Sequence, residues 1–166
     1  MKYLAMLLVL LLPLAFAQLQ EGEDAFLPEV TDSYGNVVDF AELNDAGYWV
    51  ALWFYPKAFT NGCSLQGARY SDLNETLLEA GIQAFGVSGD DAETQCEFVE
   101  TLAENGRMIP DTERVIAEAY GVIGGLFFSR DTVLINPDGQ VEKIWRTVDP
   151  VEDADRVLEY VLANPQ

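Results

Sequence analysis

Apolar and polar positions along this chain alternate between unbroken apolar runs and helical spacings. Tyr48 to Tyr55 (YWVALWFY) is apolar or aromatic throughout, the pattern of a central strand covered on both faces. Pro56 ends it. A loop over 56–62 then leads into a helix expected from about Gly62 to Ala80 and closed by Gly81. Leu65, Leu73 and Leu77 mark its expected buried side. A second strand is expected over Ile82–Val87. Ser88-Gly89-Asp90 turns into another helix, with Asp90-x-x-Glu93 in capping-box form. Ala92, Cys96, Val99 and Ala103 share one face of that helix.

The remainder is shorter-grained. Residues 18–26 are polar and acidic and read as a loose lead-in, and Pro28–Phe40 reads as a small hairpin or irregular cap around Tyr34-Gly35-Asn36. Residues 105–112 read as a loop with a short strand, Glu113–Tyr120 as a short helix, and Gly121–Ser129 as a glycine-rich loop. Thr132–Ile135 and Val141–Val148 are strands joined by Asn136-Pro137-Asp138-Gly139, a strong hairpin turn. Pro150–Ala163 is a final amphipathic helix with Val151, Val157, Leu158, Val161 and Leu162 available for packing. Strand–helix alternation predicts an α/β fold with a mainly parallel sheet and helices on both faces, to which the late hairpin adds antiparallel strands. No repeat or linker divides the chain, so residues 18–166 are expected to form a single domain.

The first residues stand apart. Met1-Lys2-Tyr3 is a short basic lead, Leu4–Leu14 is almost wholly apolar, and Ala15-Phe16-Ala17 has the small-x-small form of a cleavage site. Residues 1–17 are expected to be a signal peptide cut after Ala17, since the apolar run is short for a membrane span. An exported chain, periplasmic or secreted, follows from that expectation.

Composition narrows the chemistry. A formal net charge of −19, with the acidic residues dispersed, repels phosphate backbones and anionic lipid heads. Nucleic acid is a poor partner, and no stable membrane association is expected once the leader is removed. The chain has no histidine. That excludes a Ser-His-Asp triad, a Cys-His dyad and a histidine metal site. Two cysteines remain, Cys63 and Cys96. In an oxidising compartment they could form a permanent structural disulfide in a non-catalytic module.

Cys63 has the position of a reactive thiol. It falls in the first turn of an expected helix that directly follows a strand and loop. The free backbone N–H groups and the positive end of the helix dipole there favour a thiolate. Thr60 can offer a hydroxyl from the loop, and Pro56 can stiffen it, giving Pro56-x-x-x-Thr60-x-x-Cys63.

Here the sequence resembles the peroxiredoxins, and more closely their bacterioferritin-comigratory-protein (Bcp) or PrxQ branch. FYPKAFTNGC, GVSGDD, AEAYGV, SRDTVLINPDG and VEKIWR match segments of that branch in the same order, from about Asp32 to Leu162. The resemblance implies a thioredoxin-like fold with a central mixed sheet and helices on both faces. It implies a thiol-dependent peroxidase acting through a cysteine sulfenic acid, on hydrogen peroxide or organic hydroperoxides, with a thioredoxin-like dithiol reductant and with neither a metal nor an organic cofactor needed. Members of the branch are often monomeric. Cys63 matches the peroxidatic cysteine, Thr60 and Pro56 its motif, and Arg130 the arginine set against the thiolate. Gln66 matches a position that orients Arg130. Each also has a bland alternative, Arg130 as a surface ion-pair residue, Thr60 as a helix start and Pro56 as a strand stop.

The chain also departs from the branch. Many members carry a resolving cysteine five positions after the peroxidatic one, where this chain has Ala68. Cys96 matches the alternative placement on the next helix, but its apolar face also suits a packed side chain and a one-cysteine mechanism. Asn61 replaces a more usual proline. An exported thiol–disulfide oxidoreductase would want Cys-x-x-Cys, and the stretch here is Cys63-Ser64-Leu65-Gln66.

Overall fold

The computed structural model describes residues 18–102 and 106–165; the expected signal peptide, and Ala103 on the cysteine-bearing helix, lie outside them. In chain order the elements are β1 (Glu29–Thr31), β2 (Val37–Asp39), α1 (Phe40–Asp45), β3 (Trp49–Phe54), α2 (Asn61–Asp72), α3 (Asn74–Glu79), β4 (Ile82–Ser88), α4 (Ala92–Glu100), β5 (Met108–Pro110), α5 (Val115–Ala119), β6 (Ile123–Gly124), β7 (Phe127–Phe128), β8 (Thr132–Ile135), β9 (Val141–Trp145) and α6 (Asp153–Ala163).

The central sheet runs β5-β4-β3-β8-β9. β3 pairs with β4 in parallel and with β8 antiparallel, so the sheet is mixed, as the late hairpin requires. Every residue of β3 is buried. Its pleat sends Trp49, Ala51 and Trp53, with Tyr55 just beyond the strand, into a core shared with α2, α3, α4 and α6. It sends Val50, Leu52 and Phe54 into a second core under α1 and α5. An uninterrupted apolar run is what a strand between two helical layers needs, and the fold is thioredoxin-like.

The two layers meet the sheet closely at Gly86 in β4. A β-carbon there would fall inside contact distance of the Met108 sulfur and the Trp53 ring. A methyl has no room, so this interior strand position takes glycine despite its conformational cost.

Several expectations need correction. The helix expected over 62–80 is two helices that meet at Leu73, which is the C-cap of α2 and the N-cap of α3 with φ −92° and ψ 0°. Helical bonds still run through the junction, from Leu73 N to Arg69 O at 3.1 Å and from Leu77 N to Leu73 O at 2.8 Å, and the Ser71 hydroxyl is bonded to the Leu102 carbonyl. Leu65 is exposed, and α2 buries Cys63, Gln66, Gly67, Tyr70 and Ser71 instead. On α4 the buried residues are Gln95, Phe98 and Val99; Ala92 is exposed and Cys96 half-buried. Asp91 and not Asp90 caps α4, accepting from Thr94 N at 2.8 Å. α5 begins only at Val115, after Arg114 adopts a left-handed φ of 61°. Val151 and Leu162 of the C-terminal segment face solvent.

The lead-in is not loose either. It pairs along the 139–141 turn and strand, with Gly22 N donating to Val141 O, Ala25 N to Gly139 O, and Val141 N to Glu23 O at 2.7–2.9 Å. Part of the glycine-rich loop is the hairpin β6–β7. α1 has no counterpart among the expectations; Asp39 caps it by accepting from Ala41 N and Glu42 N.

Candidate active site

β3 and α2 set the site. The strand ends at Phe54, buried Tyr55 and half-buried Pro56 follow, and the chain loops back so that Cys63 occupies the third position of α2. Thr60 is the N-cap, with extended backbone (φ −81°, ψ 148°), but its side chain does not cap the helix. Its hydroxyl donates to the Lys57 carbonyl at 3.0 Å. That bond closes the loop on itself, and the first turn of α2 keeps its positive end without a side-chain cap.

Asp90 ties the same loop to β4. Its Oδ2 accepts from Ala58 N at 2.8 Å and from the Ser88 hydroxyl at 3.0 Å, and Lys57 Nζ lies 3.7 Å from Oδ1. The capping-box reading of Asp90 missed this role. The signal available was a second acid, Asp91, placed one residue closer to the helix.

Arg130 lies just before β8, which neighbours β3 on the side away from β4. Its carbonyl accepts from Val148 N at 2.9 Å, and the next carbonyl, of Asp131, accepts from Phe54 N at 2.8 Å. The Asp131 side chain accepts from the Ser129 hydroxyl, Arg146 and Thr147 N. With its backbone so fixed, Arg130 extends a half-buried guanidinium over Cys63. Nη2 donates to Cys63 Sγ at 3.4 Å, and Nη1 donates to Gln66 Oε1 at 2.6 Å. Gly62 makes room for this: a β-carbon there would stand 3.0 Å from Arg130 Nη2 and 3.6 Å from Cζ.

The structure therefore brings Cys63, Gln66 and Arg130 into one bonded cluster, with Thr60 and Pro56 shaping the loop around it. Cys96 stands apart on α4, and both cysteines are free thiols. Cys63 is fully covered, and its neighbours include Tyr55, Ala58 and Phe98. Reactive thiols are usually partly exposed. Here the sulfur is covered, but by a charged group whose own side chain reaches solvent and not by hydrocarbon alone.

Behind Gln66 lies an acid that the sequence reading did not single out. Asp153 is fully buried, and its Oδ2 accepts from Gln66 Nε2 at 2.9 Å, Tyr70 hydroxyl at 3.0 Å and Thr132 hydroxyl at 2.7 Å. Burial pushes its carboxyl above the ordinary aspartate value, against the pull of those hydrogen bonds and of Arg156. Burial pushes the Tyr70 phenol up as well. The available signal was an aspartate four residues before Val157, on the apolar stripe of α6.

Comparisons with known proteins point to one family. The AhpC/TSA family model matches residues 22–144. Peroxiredoxin Bcp of Xanthomonas campestris pv. campestris is 31% identical over 127 residues, covering 72% of this chain and 79% of its own. Peroxiredoxin Bcp of Escherichia coli K12 is 29% identical over 143 residues, covering 81% and 88%. Among solved structures, the X. campestris bacterioferritin comigratory protein, studied for alkyl peroxide reduction in trapped intermediate and ligand complexes, superposes with a TM-score of 0.77. It is 27% identical and covers 86% of this chain and 98% of its own.

Proposed function

The chain belongs to the AhpC/TSA family, in its Bcp/PrxQ peroxiredoxin branch, and from that premise we propose that Cys63 is the peroxidatic nucleophile. The family makes the protein a thiol-dependent peroxidase. The observation that carries the assignment within the chain is the Arg130 guanidinium donating to Cys63 Sγ at 3.4 Å while Gln66 holds its other nitrogen.

The step follows from that contact. The Cys63 thiolate attacks one oxygen of R–O–O–H in line with the O–O bond. An S–O bond forms, the O–O bond breaks, sulfur is oxidised to the sulfenic acid, and RO⁻ leaves and takes a proton as water or alcohol. Arg130 offers a fixed cation to the sulfur and to the oxygen that gains charge. Thr60 and Pro56 hold the loop that carries the thiol. Alkyl hydroperoxides are proposed substrates beside hydrogen peroxide. Alkyl peroxide reduction by the X. campestris relative supports this, as do exposed Phe59, next to the cysteine loop, and exposed Phe127.

Cys96 is the proposed resolving thiol. It would condense with the sulfenic acid, releasing water, and the disulfide would be reduced by a thioredoxin-like dithiol. Both thiols being free in this fold favours the catalytic reading over a permanent Cys63–Cys96 bridge. The Met1–Ala17 pattern supports work outside the cytoplasm; fractionation of cells expressing the full chain tests that separately.

Peroxide consumption by the wild type, Cys63→Ser and Cys96→Ser, driven by a dithiol, tests the chemistry. The first substitution is expected to abolish turnover. The second should leave the first peroxide reaction intact and slow the dithiol-driven cycle. Full turnover in Cys63→Ser would end the proposal for the nucleophile, and full cycling in Cys96→Ser would end it for the resolving thiol.

A further inference from the structure

Asp153 opens α6, where a carboxylate ordinarily accepts from the free N–H groups of the first turn. It does not serve that end. It turns inward and is fully covered, and three side-chain donors converge on Oδ2. Gln66 and Tyr70 come from one face of α2, and Thr132 opens β8 two residues after Arg130.

The donor from Gln66 carries the consequence. A primary amide donates at one end and accepts at the other. Asp153 Oδ2 accepts from the Nε2 end of Gln66 at 2.9 Å, so Oε1 is turned toward Arg130. Oε1 then accepts from Nη1 at 2.6 Å, which leaves Nη2 aimed at the sulfur. With the amide reversed, its N–H groups would face the N–H groups of the guanidinium, and Arg130 would lose its brace.

We infer that Asp153 is a positioning residue for the peroxidase reaction: its Oδ2 fixes the sense of the Gln66 amide, and through it presents Arg130 to the Cys63 sulfur. This inference rests on the peroxidase reading above. Tyr70 and Thr132 reach the same oxygen without reaching Arg130. They tie α6 to α2 and β8, and Tyr70 is itself stacked on Trp53 at 4.9 Å between ring centroids.

The test is a second-order rate constant with hydrogen peroxide, measured beside a thermal melt for each variant. Asp153→Leu removes the acceptor at similar volume and is expected to slow the reaction about 10- to 100-fold, the scale of a misplaced active-site group. Asp153→Asn keeps an acceptor and should stay within about threefold of wild type. Gln66→Met should lose as much as Asp153→Leu, and the double variant no more than either alone, because both act through one amide. Tyr70→Phe and Thr132→Val should lower the melting temperature and leave the rate. The last pair keeps the test alive if Asp153→Leu does not fold.

A folded Asp153→Leu protein reacting at the wild-type rate would overturn the inference. So would losses that multiply in the double variant, or a tenfold loss in Tyr70→Phe or Thr132→Val. A wild-type protein that consumes no peroxide would instead sink the peroxidase reading itself, so the two failures are distinguishable.

Discussion

Gly62→Ala should separate reactivity from stability in this protein. The added β-carbon would stand 3.0 Å from Arg130 Nη2 and 3.6 Å from Cζ. Relaxed contacts between such atoms are about 3.5–4.0 Å, so the guanidinium must withdraw by about half an ångström. It has little freedom to do so, since Nη1 is held by Gln66 at 2.6 Å and Nη2 points at Sγ from 3.4 Å. Misplacement on that scale at the reacting atoms costs roughly 10- to 100-fold in rate. Stability should move the other way or barely at all. Alanine is favoured over glycine inside a helix by about 0.5–1 kcal/mol, which offsets the strain of shifting one side chain. Stopped-flow peroxide consumption, run beside a thermal melt, measures both. The expected result is a slow enzyme that melts within a few degrees of wild type. Wild-type kinetics in Gly62→Ala would refute the claim that this glycine exists to admit Arg130, and a slow enzyme that also melts far earlier would trace the loss to unfolding.

Three further outcomes follow from the same structure. Gly86→Ala drives a methyl into the Met108 sulfur and Trp53 ring, and overpacking of this kind should cost about 1–3 kcal/mol or more by denaturant titration. Asp90→Ala frees Ala58 N and Lys57 from the cysteine loop and should slow peroxide reduction about tenfold, with a smaller effect on melting; an unchanged rate would show that the loop keeps its shape without the tie. Burial raises the Asp153 carboxyl in the folded state, so the native protein holds a proton that the unfolded chain releases. That contribution is present below the ordinary aspartate value and is lost as pH rises through the raised one. The melting temperature of wild type relative to Asp153→Asn should therefore fall with rising pH across that interval, and parallel profiles would contradict it. Asp111, also raised by burial, is common to both proteins and cancels.

What the sequence discloses depends on how local the physics is. β3 and the Asn136–Gly139 turn depend on a run or a tetrapeptide, and both are legible; in the turn Asn136 pairs with Gln140, and Gly139 takes φ 76°. The break at Leu73 is not, because a helix over 62–80 satisfies every periodic cue and the junction is a small shift of one αR residue, at φ −92° and ψ 0°. The buried face of α2 misleads for another reason. It is built of Cys63, Gln66, Gly67, Tyr70 and Ser71, with no aliphatic residue among them, while Leu65 is left outside. The cluster of Cys63, Gln66 and Arg130 spans 67 residues of chain, and no spacing rule reaches that far; it became legible through motifs shared with a family. Asp153 and Asp90 remained hidden because an acid among apolar spacings, or before a helix, has ordinary explanations that must be set aside by seeing its partners.

Phe59 has consequences for how the two sulfurs could ever meet. It is held at φ 61°, half exposed, one residue before Thr60, and its ring packs edge-on against Phe98 at 5.4 Å. Phe98 lies two residues beyond Cys96, on the same helix. The segment bearing each thiol thus leans on the segment bearing the other through Phe98, whose ring meets Phe59 and also Tyr55, at 5.6 Å. Peeling α4 from the sheet takes Phe98 from beneath the Cys63 loop while Asp90 still ties that loop to β4, so opening one stretch loosens the other.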